Sequence, residues 1–354
     1  MSKHPKLIAP RDSFINPRIN PPISPPLNAP STKPSDRVSQ IIKQLHLRKA
    51  SCEASSQPWI VFPLQPGEFE LLVPLLKADQ PLWSFFKDSR FAKRCDYFSR
   101  SRRFVLRMPT AAQEFFRSSV VLDIQEQFGK LAAGTDDAAE FARNVRYRGS
   151  PRLYFPADKV AGGSGDNDDR AQSHYDTHEP DAVFKHIDAQ WPCIVIEVSS
   201  SEKEKELNDL AEDYILGSDG NIPCVVGLNI EYKQSKKATF SVWQPQYIEH
   251  DDGQECLVSA QTVFRDELGN LSGDKGLEIQ LKVLANKDLI NNSPSAITQR
   301  IFISPSTLYD FVTRAEADDE KVKEKRGKMS PLKPGAKKLR RQRTQREESK
   351  LDDE

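Results

Sequence analysis

Between residues 178 and 230, apolar residues form short runs and a helical pattern that are separated by turn residues. Two apolar runs, 181–184 and 194–198, each contain one acidic residue, and helical spacing follows over 202–216. A third apolar run, 224–228, comes after a turn that contains two glycines. Short apolar runs bounded by turn residues are typical of strands, and apolar positions three and four residues apart are typical of helices. This stretch therefore predicts a strand, a second strand, a helix and a third strand.

The same periodicities extend the prediction to both sides of this central stretch. Strands that alternate with helical segments favour an α/β fold with a central mixed β-sheet flanked by helices. Further helices are expected at 36–49, 67–76, 82–91, 110–131, 138–145 and from 304 onward, and further strands at 104–106, 152–155, 238–243, 256–263 and 277–284.

Both ends of the chain lack the pattern of a packed core. Residues 1–35 are rich in proline, which blocks helices and sheet ladders, so we expect disorder there. Packing residues nearly vanish after residue 315, where basic residues dominate. The sequence thus predicts a disordered Pro-rich N-terminus (1–35), a helical extension (36–95), one α/β domain (96–315) and a disordered basic tail (316–354).

Composition limits the class of protein. The formal net charge is +0, but basic residues concentrate at 321–346 and leave the body mildly acidic. Such a tail binds polyanions such as DNA and resembles a nuclear import signal, although a merely solubilising tail is the alternative. The five cysteines form no CxxC or Cys/His cluster, and their odd number fits a reducing compartment. No apolar run is long enough to cross a bilayer, so we expect an intracellular protein without a membrane partner.

Two acidic residues, Asp181 and Glu197, stand in the two predicted strands of the central stretch. Their spacing of 16 residues suits neighbouring antiparallel strands joined by a short connection. Glu197 shares a strand face with Val195, and a charge in such a place is costly unless it is paired or metal-bound. A structural salt bridge is one explanation. The other is a pair of carboxylates that bind Mg²⁺ or Mn²⁺, which would polarise a phosphate and activate water.

Lys203 and Glu114 complete the candidate site. Lys203 precedes Leu207 by one turn of the predicted helix, so it projects from the same side toward the sheet. A lysine there would orient the attacking water or stabilise negative charge on the phosphate. Glu114 lies in the first turn of the predicted helix 110–131. The alternatives are an exposed lysine and an acid that simply favours the positive end of the helix macrodipole.

The pattern Pro180-Asp181 followed by Glu197-Val198-Ser199 resembles the PD-(D/E)XK nuclease superfamily, which has the restriction-endonuclease-like fold. Within the superfamily, the chain resembles a group of fungal proteins from about residue 97 to residue 284. The segments that carry this second resemblance are 197–199, 213–222, 225–232 and 235–239.

The resemblance implies that Asp181 and Glu197 bind the metal and that Glu114 is an acid supplied by a helix. The superfamily motif has a lysine two residues after its second acid, which is called the E-x-K element. Here the second acid is Glu197, and the position of the lysine is occupied by Ser199. Members of the superfamily can supply the lysine from the next helix, so Lys203 is the natural substitute and Lys185 a weaker one.

The expected function is therefore a nuclease that depends on Mg²⁺ or Mn²⁺ and hydrolyses phosphodiester bonds, with DNA as its substrate. The alternative is a protein that keeps the nuclease fold but has lost catalysis with its lysine. Such a protein would be an interaction module that binds nucleic acid or protein through the basic tail.

Overall fold

The structure is a computed structural model, and it describes residues 35–50, 59–87, 94–99, 101–156, 175–199, 204–231, 235–247, 255–285 and 298–325. The predicted disorder of the N-terminus and of most of the basic tail concerns residues outside this description. The predicted lysine of the site, Lys203, also lies outside it.

The described residues form the alternating helices and strands of an α/β protein. The helices are α1 (Asp36–Ala50), α2 (Pro66–Ala78), α3 (Gln80–Lys87), α4 (Ala111–Ala132), α5 (Asp137–Asn144), α6 (Glu204–Leu216), α7 (Leu281–Leu284) and α8 (Pro305–Lys325). The strands are β1 (Trp59–Pro63), β2 (Arg94–Phe98), β3 (Arg103–Arg107), β4 (Val145–Tyr147), β5 (Leu153–Pro156), β6 (Tyr175–His178), β7 (Ala182–His186), β8 (Ile194–Ser199), β9 (Val225–Ile230), β10 (Ala238–Tyr247), β11 (Glu255–Arg265), β12 (Leu277–Gln280) and β13 (Arg300–Ile303).

The predicted central sheet is confirmed as a six-stranded mixed sheet in the order β11-β10-β9-β8-β7-β4. β8 and β9 are parallel, and the other neighbours are antiparallel. Alternate residues of β8 face opposite layers, as strand geometry requires. Ile194 and Ile196 join the core formed with α4, α5 and α8, whereas Val195 packs with α6 on the other side. The predicted order of strand, strand, helix and strand is thus β7, β8, α6 and β9.

A second, antiparallel sheet was not predicted. It has the order β1-β3-β2-β6-β5 and packs α1, α2 and α3 against one face. The segment 36–95 is therefore not a purely helical extension, because β1 and the start of β2 lie within it. β2 was not predicted as a strand of the core because its sequence, Arg-Cys-Asp-Tyr-Phe, places charged residues between apolar ones, which is typical of an exposed segment. All five residues are buried.

The two sheets are joined by three residues. β6 belongs to the five-stranded sheet and β7 to the six-stranded sheet, and only Glu179, Pro180 and Asp181 separate them. Asp181 therefore stands where one sheet passes into the other. The candidate site lies at this junction.

Two boundaries in the C-terminal half differ from the prediction. Residues 316–325 belong to α8 instead of to a disordered tail, because Glu316 pairs with Arg265 of β11 and Lys323 pairs with Asp319 one turn away. The predicted strand 277–284 ends at Gln280, and the short helix α7 follows.

Candidate functional site

The structure brings Asp181 and Glu197 together, as their spacing predicted. Ala182 lies opposite Ile196 in the antiparallel pair of β7 and β8, which places the two acids at the same end of the pair. The Asp181 Oδ2 atom accepts a hydrogen bond of 2.7 Å from the Val198 N–H. Both carboxylates are fully buried.

An arginine from the second sheet, Arg107, lies between these two carboxylates. Its Nη1 atom is 2.6 Å from Glu197 Oε2 and 3.7 Å from Asp181 Oδ2. Its Nε atom is 2.7 Å from Asp96 Oδ2, and its Nη2 atom donates to the Glu179 carbonyl at 2.8 Å. Arg107 therefore meets three carboxylates and one carbonyl oxygen. It connects β3 to both β2 and β8.

Asp96 is the acid of this centre that the sequence did not suggest. It is fully buried in β2, and its Oδ1 atom also accepts the Glu179 N–H at 2.8 Å. Glu179 in turn accepts from the Cys95 N–H at 2.7 Å and from Arg152 Nε at 2.9 Å. These bonds hold the chain between β6 and β7 against β2, so they set where Asp181 stands.

Glu114 lies in the first turn of α4, as predicted, and belongs to the outer part of the same network. Its Oε1 atom is 3.3 Å from Arg94 Nη2, and its Oε2 atom is 2.6 Å from Arg117 Nη2. Arg94 Nε lies 3.1 Å from Asp181 Oδ1, and Arg117 Nη1 donates to the Asp181 carbonyl at 2.9 Å. Glu114 is thus linked to Asp181 through two arginines. Thr110 forms the capping box that begins the helix.

Aromatic residues close the other side of the centre. The Tyr214 hydroxyl of α6 donates to Glu197 Oε1 at 2.6 Å. The Trp59 ring lies over the Arg107 guanidinium, 5.2 Å away. Buried His178 packs among the rings of Phe98, Phe155 and Tyr214, and burial lowers the pKa of His178 to about 3. The imidazole is therefore neutral at physiological pH.

The electrostatics of the centre follow from an excess of buried acids. Burial raises the pKa of Glu197 to about 8, and Asp181 and Asp96 add to the rise against the opposing effect of Arg107. Burial lowers the pKa of Arg107, but the attraction of Asp96, Glu197 and Asp181 outweighs it and holds that pKa well above its ordinary value. The guanidinium stays charged, and the cluster takes up a proton near neutral pH.

The carboxylates do not fit a divalent cation in this arrangement. Glu197 accepts from Tyr214 and Arg107 with its two oxygens, and Asp181 faces Val198 and Arg94 with its own. Among the residues described, no group of three or more His, Cys, Asp or Glu side chains is arranged to hold a metal ion. Binding of Mg²⁺ or Mn²⁺ by Asp181 and Glu197 therefore stays a prediction, and this geometry does not support it.

The structure describes two positions that bear on the missing lysine, Ser199 and Lys185. Ser199, the third residue of the E-x-K element, is buried with its Oγ atom 3.4 Å from Asn229 Oδ1. Lys185 stands opposite Arg146 in the pair of β7 and β4, toward the far end of β7 from Asp181. The structure therefore does not place Lys185 with Asp181.

Sequence reasoning missed Arg107, Arg94 and Asp96. Arg94 stands directly opposite Arg107 in the pair of β2 and β3, an arrangement that like charges make unfavourable without acids between them. One feature of the sequence could have pointed to them, namely charged residues within or beside short apolar segments. Acids in two buried strands require a cation nearby, and Arg107 follows the apolar run Phe104-Val105-Leu106 directly.

Comparisons with known proteins give no relative for this arrangement: no family model, no curated protein and no solved structure matches the chain. The resemblance to the PD-(D/E)XK superfamily therefore rests on the sequence pattern alone and stays a prediction. No helix among the described residues is both long enough and apolar enough to cross a membrane.

Proposed function

We propose that this chain is a non-catalytic nucleic-acid-binding protein, with a restriction-endonuclease-like core whose acidic centre has become a structural ion-pair network. The observation that carries the proposal is the Arg107 guanidinium, which lies between the carboxylates of Asp181 and Glu197. A metal-dependent hydrolase needs such oxygens for its ion and for the phosphate that the ion polarises. Here the same oxygens face protein groups.

Burial supports the same proposal. Glu197 is 0% exposed and Asp181 is 1% exposed, so a phosphodiester has no path to either carboxylate in this conformation. Their partners come from β3, α4 and α6 as well as from the backbone of β8. Side chains that join so many elements fix how those elements meet, which is a structural role and not a catalytic one.

The nucleic-acid contact is assigned to the basic segment 326–354. Its sequence contains the pairs Lys337-Lys338 and Arg340-Arg341, whereas the body of the chain is mildly acidic. Lysine and arginine bind phosphates by releasing counterions, so this mode of binding weakens steeply as salt rises and has little sequence preference.

Fluorescence anisotropy with labelled DNA tests this assignment. We expect the full chain to bind in a salt-dependent way and a form that ends at Lys325 to lose that binding, because the basic segment is removed. A full-length control with the two basic pairs changed to glutamine should bind more weakly than the wild type. Undiminished binding by the shortened form would contradict the assignment.

A metal-dependent nuclease is the second candidate function. The observation in its favour is that three acids predicted from the sequence, Asp181, Glu197 and Glu114, do lie in one network. It requires Arg107 to leave the carboxylates when substrate and metal arrive. Incubation of DNA with the protein in Mg²⁺ or Mn²⁺ separates the two functions. Cleavage that Glu197→Gln abolishes would refute the non-catalytic proposal.

A further inference from the structure

Two basic side chains stand directly opposite each other at one edge of the six-stranded sheet. Arg146 of β4 is the register partner of Lys185 in β7. The next partners, Tyr147 and Phe184, place their rings 5.6 Å apart on the side of the sheet that α4 and α5 cover. Because strand side chains alternate, Arg146 and Lys185 lie on the opposite face. Arg146 is exposed and Lys185 is half-buried.

A third cation, Arg148, continues the same face just beyond β4. Its N–H donates to the Val183 carbonyl at 3.0 Å, so the pairing of the two strands runs on past Tyr147. Arg148 is exposed and follows Arg146 by two residues, which is about 7 Å along a strand. Lys185, Arg146 and Arg148 are here called the basic edge. They are grouped on a body that is mildly acidic as a whole.

The basic edge lacks the acids that neutralise another opposing pair of cations in this fold. Arg94 and Arg107 are also direct register partners, and they meet the carboxylates of Asp181 and Asp96 respectively. In the part of the chain that the structure describes, no acid forms an ion pair with a member of the basic edge. Like charges directly opposite each other destabilise a pair of strands, so this arrangement has a cost that no described acid offsets.

The polar contacts of Arg146 do not change this charge. Its Nη1 atom donates to the carbonyl oxygens of Arg143 and Val145, which are neutral groups. The positive charge of the basic edge is therefore uncompensated among the described residues, and an anion from outside the chain would compensate it.

We propose that the basic edge binds the phosphate backbone of a nucleic acid. The inference rests on the proposed nucleic-acid binding and deepens it, because it adds a contact by the folded body to the contact by the basic tail. Guanidinium and ammonium groups bind phosphate oxygens well, and about 7 Å spans two phosphate steps of about 3.4 Å along one DNA strand. Such contacts position a protein on the nucleic acid without reading its sequence. Two or three of them hold DNA only weakly, so binding still needs the tail.

Fluorescence anisotropy of the full-length chain with labelled DNA, repeated over a series of salt concentrations, tests the basic edge. Each phosphate contact contributes about 0.9 to the slope of log affinity against log salt concentration. We expect Arg148→Gln combined with Lys185→Gln to reduce that slope by about 2 and to weaken binding at low salt. Lys185→Arg should bind as the wild type does, because it keeps the positive charge.

Lys43→Gln combined with Arg314→Gln is the matched control. Both residues are exposed, and they belong to α1 and α8 rather than to the six-stranded sheet. This variant loses the same two positive charges and should keep the wild-type slope. An equal loss of slope in the control would overturn the inference, because net charge alone would then explain the effect.

Thermal unfolding separates a binding role from a structural one. Because Lys185 and Arg146 repel each other, Lys185→Gln should leave the melting temperature of the free protein unchanged or raise it slightly at low salt, while it weakens DNA binding. A lower melting temperature would overturn the inference, because Lys185 would then serve the fold.

The inference and the proposed function fail on different observations. A wild-type slope in the variant of Arg148 and Lys185 overturns the inference alone. Undiminished binding by the form that ends at Lys325, or DNA cleavage that Glu197→Gln abolishes, counts against the proposed function instead. Absence of DNA binding by the wild type would refute both.

Discussion

Replacing Arg107 by methionine is the change to which the buried centre should respond most strongly. Methionine keeps much of the apolar length of the side chain and removes the guanidinium. Asp96 and Glu197, both fully buried, then lose their cation, whereas Asp181 keeps Arg94 at 3.1 Å. The folded state must then hold whatever charge these carboxylates carry without that cation, or bind further protons beyond the one that Glu197 takes up near neutral pH.

Removing one partner of a buried ion pair destabilises a protein by about 3–5 kcal/mol. We expect Arg107→Met to reach the upper part of that range at about pH 8, because two carboxylates are affected. At about pH 5 the cost should be smaller, because protonation neutralises the carboxyl groups at little expense there. The loss of stability should therefore grow as the pH rises.

Urea unfolding of the wild type and the variant at both pH values measures this loss. Arg265→Met is the control, since Glu316 accepts from Arg265 at 2.7 and 2.9 Å but is 23% exposed and can be hydrated when the arginine is gone. Its cost should be about 1.5–3 kcal/mol, the range for a hydrogen bond to a charged group, and should vary little between the two pH values. Equal costs for the two variants at both pH values would refute the reasoning.

Three further predictions concern titration and the tail. The folded pKa of Glu197 is about 8 against an ordinary 4.5, so the folded state binds this proton more tightly and the free energy of unfolding should fall as pH rises between those values. Glu197→Gln should flatten that fall by up to about 1.4 kcal/mol per pH unit in urea unfolding, and an unchanged slope would contradict the assigned pKa. The folded pKa of His178 is about 3 against an ordinary 6.5, so the unfolded state binds its proton first and stability should fall as pH drops from 6.5 toward 3. His178→Phe should therefore lose less stability than the wild type as the pH falls, which thermal unfolding scans between pH 6.5 and pH 3 can measure. The same loss of stability in both proteins would argue against a buried neutral imidazole. The predicted import signal is the basic tail 321–346, so we expect a fluorescent fusion that ends at Lys325 to lose nuclear enrichment, because most of the basic residues are removed. Continued active import of that fusion would contradict the prediction.

The pattern of neighbouring residues was sufficient to predict the elements of the central stretch, residues 178–230. β7, β8, α6 and β9 were predicted because each strand is a short apolar run and the helix has apolar residues three and four positions apart. The close approach of Asp181 and Glu197 followed from the same pattern, since short connections between apolar strands favour antiparallel neighbours. Thr110 could be predicted as a cap for the same reason, because its capping box needs only residues of the same turn.

Local pattern failed where charged residues are buried. β2 alternates Arg94 and Asp96 with apolar residues, which is typical of an exposed strand, yet the whole strand is buried. Its charges are tolerated because Arg94 meets Asp181 and Asp96 meets Arg107. Asp181 lies 87 residues after Arg94, and Arg107 reaches Asp96 only because β2 pairs with β3, so no periodicity within one strand could reveal these partners.

By itself, the sequence determined the α/β class, the chain order of β7, β8, α6 and β9, and the presence of costly acids within this stretch. Only the tertiary structure decided what those acids do. Arg107 lies 90 residues before Glu197 along the chain, and it reaches that carboxylate only because two sheets meet at Asp181. A buried charge takes its partner by proximity in space, so the same acids would suit a metal or an arginine until the fold is known.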